Sequence, residues 1–205
     1  MFLASSFYSD HCVQIIGGKE SVPHSRPFMA KIKGSSICGG TLIKSNWVLT
    51  AAHCNIYSWN SFRKRHNKTT KLDKNVAIVK LPRVSSDLKA GTQCLVAGWG
   101  ITKSGSKTPS DVLREVNVTV IARSICNDQK HYNSRLLGEK KSRWKPKPDN
   151  QSPGDSGGPL ICKGEQRGIV SCGIKCGMPQ YPGIYTLLTN KYSHWIKSLF
   201  PSRYI

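Results

Sequence analysis

Nine short β-prone runs, separated by Gly, Pro and Asn, set the terms on which this chain can fold. They lie at 28–32, 36–43, 47–50, 75–81, 93–98, 113–120, 159–162, 168–171 and 183–188. Runs of this length and spacing predict an all-β sandwich or barrel. Two stretches read as helical: one at 122–129, and one at the C-terminal end, where Tyr192, Trp195, Ile196 and Leu199 recur at three- and four-residue intervals. A chain of 205 residues suffices for one all-β domain, a class that commonly reaches roughly 200–250 residues, or for two tight halves sharing a site. No apolar run approaches the roughly 20 residues of a membrane-spanning helix.

Two segments, 60–74 and 138–152, break the pattern; both are polar, basic and poor in strand signals, and both are predicted loops. They hold much of an unusual charge, 31 Lys+Arg against 11 Asp+Glu for a formal net charge of +20. Arg63, Lys64, Arg65, His66, Lys68, Lys71 and Lys74 form one cluster, and Lys140, Lys141, Arg143, Lys145 and Lys147 a second. Such density attracts polyanions, whether sulfated glycosaminoglycans or nucleic acid; the alternative is a solvated surface without a partner. No helix-turn-helix, zinc-finger or RNA-binding signature is present, which argues against sequence-specific nucleic-acid recognition.

The eight cysteines, Cys12, Cys38, Cys54, Cys94, Cys126, Cys162, Cys172 and Cys176, include no Cys-x-x-Cys pair. Dispersed cysteines favour disulfides in an oxidising compartment over a metal site, and the even count leaves their connectivity open. Residues 1–14 open on Met1-Phe2-Leu3-Ala4 but lack the charged head and the roughly 7–15-residue apolar core of a complete secretory signal.

Four local texts carry chemistry: Ile15-Ile16-Gly17-Gly18, Leu49-Thr50-Ala51-Ala52-His53-Cys54, Ala97-Gly98-Trp99-Gly100, and Gly154-Asp155-Ser156-Gly157-Gly158-Pro159-Leu160. A serine hydroxyl attacks at neutral pH only when a neighbouring imidazole takes its proton, which pairs Ser156 with His53. The glycines around Ser156 permit a turn sharp enough to aim the amides of Gly154 and Ser156 at a developing oxyanion. Together these texts make the chain resemble the chymotrypsin-fold serine proteases, and within them the branch of granzymes A and K. The narrower likeness rests on Ile15-Ile16-Gly17-Gly18-Lys19-Glu20, Pro23-His24-Ser25-Arg26-Pro27-Phe28-Met29-Ala30, Asp111-Val112-Leu113-Arg114-Glu115-Val116 and Gly183-Ile184-Tyr185-Thr186-Leu187-Leu188.

The resemblance implies an all-β fold of two six-stranded barrels with a C-terminal helix and the active site between the barrels. It makes 1–14 a truncated signal or propeptide-like segment and 15–205 the protease domain. Cleavage before Ile15 would free an α-amino group that pairs with Asp155. Gln14 in place of Lys or Arg disfavours a trypsin-like activator and suits removal of Val13-Gln14 by a dipeptidyl peptidase, as in granzymes. Two disulfides carry over, Cys38 to Cys54 and Cys94 to Cys162; Cys126 and Cys176 match family cysteines whose partners are missing here. The pocket would be formed by Asn150, Ser171, Gly173 and Gly183, with protein or peptide substrates, no cofactor and no metal. Secretion or storage in a cytolytic granule with acidic proteoglycan, a heparin-like partner, completes what the likeness implies.

The chain departs from this family at two points. The third catalytic member should be a buried carboxylate that orients the histidine; after His53 the first acidic residue is Asp73, and Asn75 stands where one alignment of 75–81 expects the aspartate. A second, gapless alignment makes 71–94 the connection between barrels. It is preferred, and it predicts an incomplete N-terminal barrel. At the pocket base the family branch has an aspartate six residues before the serine, and here that position is Asn150, with Asp149 beside it. Two functions follow: a granzyme-like serine endopeptidase working through an acyl-enzyme, or a catalytically impaired relative that acts as a cationic polyanion-binding protein.

Overall fold

Nine strands and two short helices form from residues 18–34, 37–52, 54, 69–83, 86–102, 108–131, 155–172 and 182–200, the part of the chain that the computed structural model describes. The strands are β1 (Lys19–Glu20), β2 (Met29–Lys33), β3 (Ile37–Lys44), β4 (Trp47–Leu49), β5 (Gln93–Gly98), β6 (Arg114–Thr119), β7 (Pro159–Cys162), β8 (Glu165–Cys172) and β9 (Ile184–Leu187). The helices are α1 (Arg123–Cys126) and α2 (Asn190–Ser198). All strand pairs are antiparallel, in two sheets of order β2-β3-β4 and β1-β6-β5-β7-β8-β9. The fold is mostly β, as the spacing of the runs predicts.

Each sheet buries one core. In the second, Cys94, Val96, Leu160, Cys162 and Val170 pack with Val116, Val118 and Tyr185. Cys94 and Cys162 face each other directly across β5 and β7, and their disulfide forms there. In the first, Cys38, Ile43, Leu49, Ala51 and Cys54 pack with Val79, and also with Ile169, Leu188 and Ile196 from the second half of the chain. The Cys38–Cys54 disulfide lies inside this cluster.

Helix α2 therefore closes the first sheet although it follows the last strand of the second. Its Ile196 is buried while Tyr192 and Leu199 lie partly buried against the same core, a stripe at i, i+4 and i+7. Trp195, expected on that face, is 41% exposed; at i+3 from Tyr192 it falls on the rim of the stripe. Beyond the helix, Phe200 meets Trp47 of β4 edge to face at 5.1 Å, with the Lys44 ammonium 4.0 Å from its ring centre.

The run at 75–81 is not a ladder strand. Its amides bond one at a time, Ala77 to the Pro27 carbonyl and Val79 to that of Leu42, and then the Lys80 carbonyl accepts the Gln166 amide of β8 at 2.8 Å. The Arg167 guanidinium donates to the Ser86 carbonyl at 2.7 Å. The segment thus crosses from the first sheet to the second. This agrees with the preferred alignment, which makes 71–94 the connection between the halves; the β-prone reading of 75–81 does not hold, because a connector pressed on a sheet buries alternate residues just as an edge strand does. Sequence reasoning missed β1, whose two exposed residues carry no periodic signal.

The β7–β8 hairpin closes through Lys163 and Gly164 between the paired Cys162 and Glu165. Both turn residues have positive φ, 53° and 79°, the pattern of a type I′ turn, which favours Asn-Gly. Lysine has no local hydrogen bond with which to stabilise the left-handed conformation. Lys163→Asn is expected to stabilise the fold by about 0.5–1 kcal/mol, raising Tm by roughly 1–4 °C for a chain of this size; a thermal melt with unchanged or lower Tm would contradict this account of the turn.

Candidate active site

Ser156 sits in a tight turn at the junction of the two sheets. The Gly158 amide closes the turn onto the Asp155 carbonyl at 2.9 Å. Gly157 holds φ at 82°, the left-handed region that glycine enters freely. The turn is pinned from both sides: the Gly39 amide of β3 donates to the Ser156 carbonyl at 2.8 Å, and the Gly157 amide donates to the Val170 carbonyl of β8 at 2.8 Å. Thr50 Oγ1 donates to the Gly39 carbonyl at 2.7 Å and steadies the β3 side. Ser156 is 7% exposed. A backbone pinned in this way holds the point from which the Ser156 side chain springs, which is what the placement of a nucleophile needs.

Asp155 is fully buried. Its Oδ1 accepts the Gly100 amide at 2.6 Å, and a Cβ on either Gly98 or Gly100 would strike the carboxylate. The glycines of Ala97-Gly98-Trp99-Gly100 thus make room for a carboxyl group that packs directly on backbone. Sequence reasoning singled out this text and Asp155 separately; the structure brings them together.

The disulfide sulfur of Cys54 lies 3.4 Å from the Ser156 carbonyl oxygen. The residue that follows His53 is therefore in contact with the serine turn. His53 itself, with Ile15, Asn150, Gly154 and Gly173, lies outside the described residues. Of the pocket candidates, Ser171 is buried on β8 and Gly183 is exposed just before β9. The hydroxyl of Tyr185 stands where it would touch a Cβ on Gly183, so the two positions are packed against each other.

The two weak candidates for a third member are both exposed. Asp73 Oδ1 accepts the amides of Asn75 at 2.7 Å and Val76 at 2.9 Å, capping its own turn. Among the described residues the buried carboxylates are Asp155 and Glu115, and Glu115 is engaged by Ser21 and Arg26. Cys126 is a free thiol. Burial first, then the nearby Asp128 charge, pushes its pKa up, which makes it a poor nucleophile at neutral pH. Asp128 keeps that charge readily, since the hydrogen bond from His131 at 2.6 Å holds its carboxyl below the usual range. An open groove of about 590 Å³ beside Arg26, Phe28, Leu95, Asn117 and Lys163 contains none of the candidate residues.

Comparison with known proteins agrees with this geometry. A family model described as Trypsin matches residues 15–68 and 64–196. Its two pieces meet within the first basic segment. Granzyme A of Bos taurus is 40% identical over 243 aligned residues, covering 96% of this chain and 92% of that protein. That alignment is longer than the 205 residues of this chain, so the relative has residues with no counterpart here. Trypsin I-P1 of Gallus gallus is 32% identical over 226 residues, covering 92% and 90%. Among solved structures, neuropsin, described as a serine protease expressed in the limbic system of mouse brain, superposes with a TM-score of 0.71 at 28% identity, covering 90% of this chain and 99% of that one.

A Cβ at position 157 would meet Thr50 Oγ1 and the Gly39 carbonyl in addition to the unfavourable φ. Gly157→Ala is expected to cost at least about 1–2 kcal/mol from the backbone alone, lowering Tm by roughly 2–4 °C per kcal/mol. A melt indistinguishable from the parent would mean that the turn is not held as tightly as its hydrogen bonds imply.

Proposed function

Because this chain belongs to the trypsin family of serine endopeptidases, we propose that it hydrolyses peptide bonds with Ser156 as nucleophile and His53 as general base and then acid. The observation that carries the residue assignment is the double pinning of the serine turn, with Cys54 in contact with it. Ser156 Oγ attacks the substrate carbonyl as His53 takes its proton; the tetrahedral oxyanion is met by the amides of Gly154 and Ser156. Collapse expels the amine with the proton from His53 and leaves an acyl-enzyme, which water hydrolyses by the same steps. The α-amino group freed before Ile15 pairs with Asp155, whose burial makes the pair stringent: removing one partner of a buried ion pair costs about 3–5 kcal/mol.

The residue expected to orient His53 is an aspartate, and the two candidates for it, Asp73 and Asn75, are both exposed, with the Asp73 carboxylate capping its own turn. In chymotrypsin-like enzymes replacing that aspartate lowers kcat about 10⁴-fold while the oxyanion hole and substrate binding persist, so a slow enzyme is the expected form of this activity. The pocket has a neutral residue, Asn150, at its base. A buried substrate cation would find no counter-charge there, so uncharged side chains are favoured at that position.

Storage with acidic proteoglycan, after secretion or sorting to a granule, fits two features. Two disulfides suit an oxidising compartment, and 11 acidic residues cannot neutralise 31 basic ones whatever their pairing. Among the described residues no helix is long and apolar enough to cross a membrane.

A fluorophosphonate probe is expected to label the chain after release of Ile15 and to leave Ser156→Ala unlabelled; a folded, processed chain that resists labelling would sink the catalytic assignment. Asn150→Asp should raise kcat/KM on arginine and lysine substrates at least about tenfold, the worth of one hydrogen bond to a charge, and no gain would remove position 150 from the pocket. On heparin the chain should be retained at about 0.15 M salt and elute earlier when Arg63, Lys64 and Arg65 are reversed to Glu; an unchanged elution position would exclude that cluster as the contact.

A further inference from the structure

The segment that follows Ile15 has little of its own to hold it, since β1 is two residues long and both are exposed. Strand β6 supplies what it lacks. Lys19 and Glu20 pair with Glu115 and Arg114, and the Ser21 amide donates to the Leu113 carbonyl at 2.9 Å. Two adjacent side chains add charged contacts. The Arg114 guanidinium donates to the Gly18 carbonyl at 2.6 Å. The Glu115 carboxylate, 6% exposed, accepts the Ser21 hydroxyl at 2.8 Å and lies 3.0 Å from the Arg26 guanidinium.

We propose that Arg114 and Glu115 form a two-point clamp that sets where the amino terminus released before Ile15 can reach, and so determines how completely it docks on Asp155. They are positioning residues and rest on the reading of Ile15 and Asp155 as the activation pair. The amine is separated from the clamped Gly18 carbonyl by the backbone of Ile15, Ile16, Gly17 and Gly18, whose reach is at most roughly 13–14 Å. For so short a tether the effective concentration of the amine at its partner depends steeply on where the anchored end is held. A charge-assisted bond to a carbonyl fixes that end more firmly than a neutral one. Glu115 does more than hold Ser21. Arg26 leads into β2, so its pairing with Glu115 ties the same segment to the first sheet, where Cys38 and Cys54 flank the serine turn. Docking of the terminus is thereby coupled to the approach of the two sheets.

The test reads the amine itself. The full chain, after release of residues 1–14, is exposed to cyanate, and carbamylation of the Ile15 amine is followed by peptide mass spectrometry, since an amine buried in an ion pair is protected. Arg114→Ala should be carbamylated about tenfold faster than the parent, the loss of one hydrogen bond to a charge. Arg114→Lys, which keeps a donor, should stay close to the parent. Ser21→Ala, a milder change that leaves Glu115 with Arg26, should react roughly threefold faster, for the loss of a hydroxyl bond, with Tm near that of the parent. If Arg114→Ala and Ser21→Ala react as slowly as the parent, or Arg114→Lys as fast as Arg114→Ala, the clamp is overturned and the activation pair stands. If the parent itself reacts at the rate of an Ile-Ile-Gly-Gly peptide, the activation pair falls and the clamp with it. Should Arg114→Ala melt below the assay temperature, Ser21→Ala decides between the same outcomes.

Discussion

Two backbone hydrogen bonds on one turn join the halves of this molecule: Gly39 of β3 to the Ser156 carbonyl, and Gly157 to the Val170 carbonyl of β8. Each lies in a different sheet, so the turn has one position only while both sheets keep theirs. Buried backbone groups that lose such partners cost more than the bond was worth, which makes sliding one sheet against the other expensive. The Cys38–Cys54 disulfide beside the same carbonyl and helix α2 packed on the first core act in the same direction. The serine is thus positioned by the relation between the sheets, and anything that disturbs that relation disturbs the site.

The buried carboxyl group of Asp155 belongs to the same junction. Its carboxylate rests against Gly98 and Gly100 and takes the Gly100 amide. A buried carboxylate is tolerable only with compensating donors or a cation. Its next neighbour in the chain is Ser156, so whatever completes that compensation also fixes the backbone from which an oxyanion hole is made. An activation step that delivers an amino terminus to this carboxylate would therefore act on the nucleophile's own turn rather than at a distance.

Much of this was legible in the sequence, and the reasons differ by residue. Strands β2 to β9 declare themselves through alternating apolar residues and Gly or Pro boundaries. The serine and histidine texts declare themselves through residue types that few other roles require in that order. The 75–81 segment read two ways, as a β-prone run and, on the preferred alignment, as part of the connection between the halves, because a connector lying on a sheet and a strand within it bury alternate residues alike. Arg26, Ser21 and Glu115 did not declare themselves: their contacts join positions 94 apart in the chain for Ser21 and Glu115, and nothing local to an Arg, a Ser or a Glu announces a buried partner. Asp73 stood as a candidate for the third catalytic member because its text carries no sign that its own turn would use the carboxylate.

Departures from the family occur in both halves of the chain, at 60–74 in the first and at 138–152 in the second, but the described parts of the candidate site lie in the second sheet and at the junction. The second sheet has six strands, a cross-strand disulfide, Asp155 with its glycines, and the turn that presents Ser156. The first has three strands among the described residues, and the family match is interrupted at 64–68, downstream of His53. On the reading proposed above, the nucleophile, oxyanion donors and activation carboxylate belong to the second half of the chain, whereas the carboxylate expected to orient the histidine would come from the first. These contributions act at different stages: the oxyanion hole stabilises charge on the substrate, while the aspartate fixes the tautomer and orientation of the base. Losing the second without the first weakens proton transfer and leaves transition-state charge stabilisation in place. If the orienting carboxylate is missing, the expected consequence is a loss in kcat with substrate binding preserved, because the two contributions act on different atoms of the same reaction.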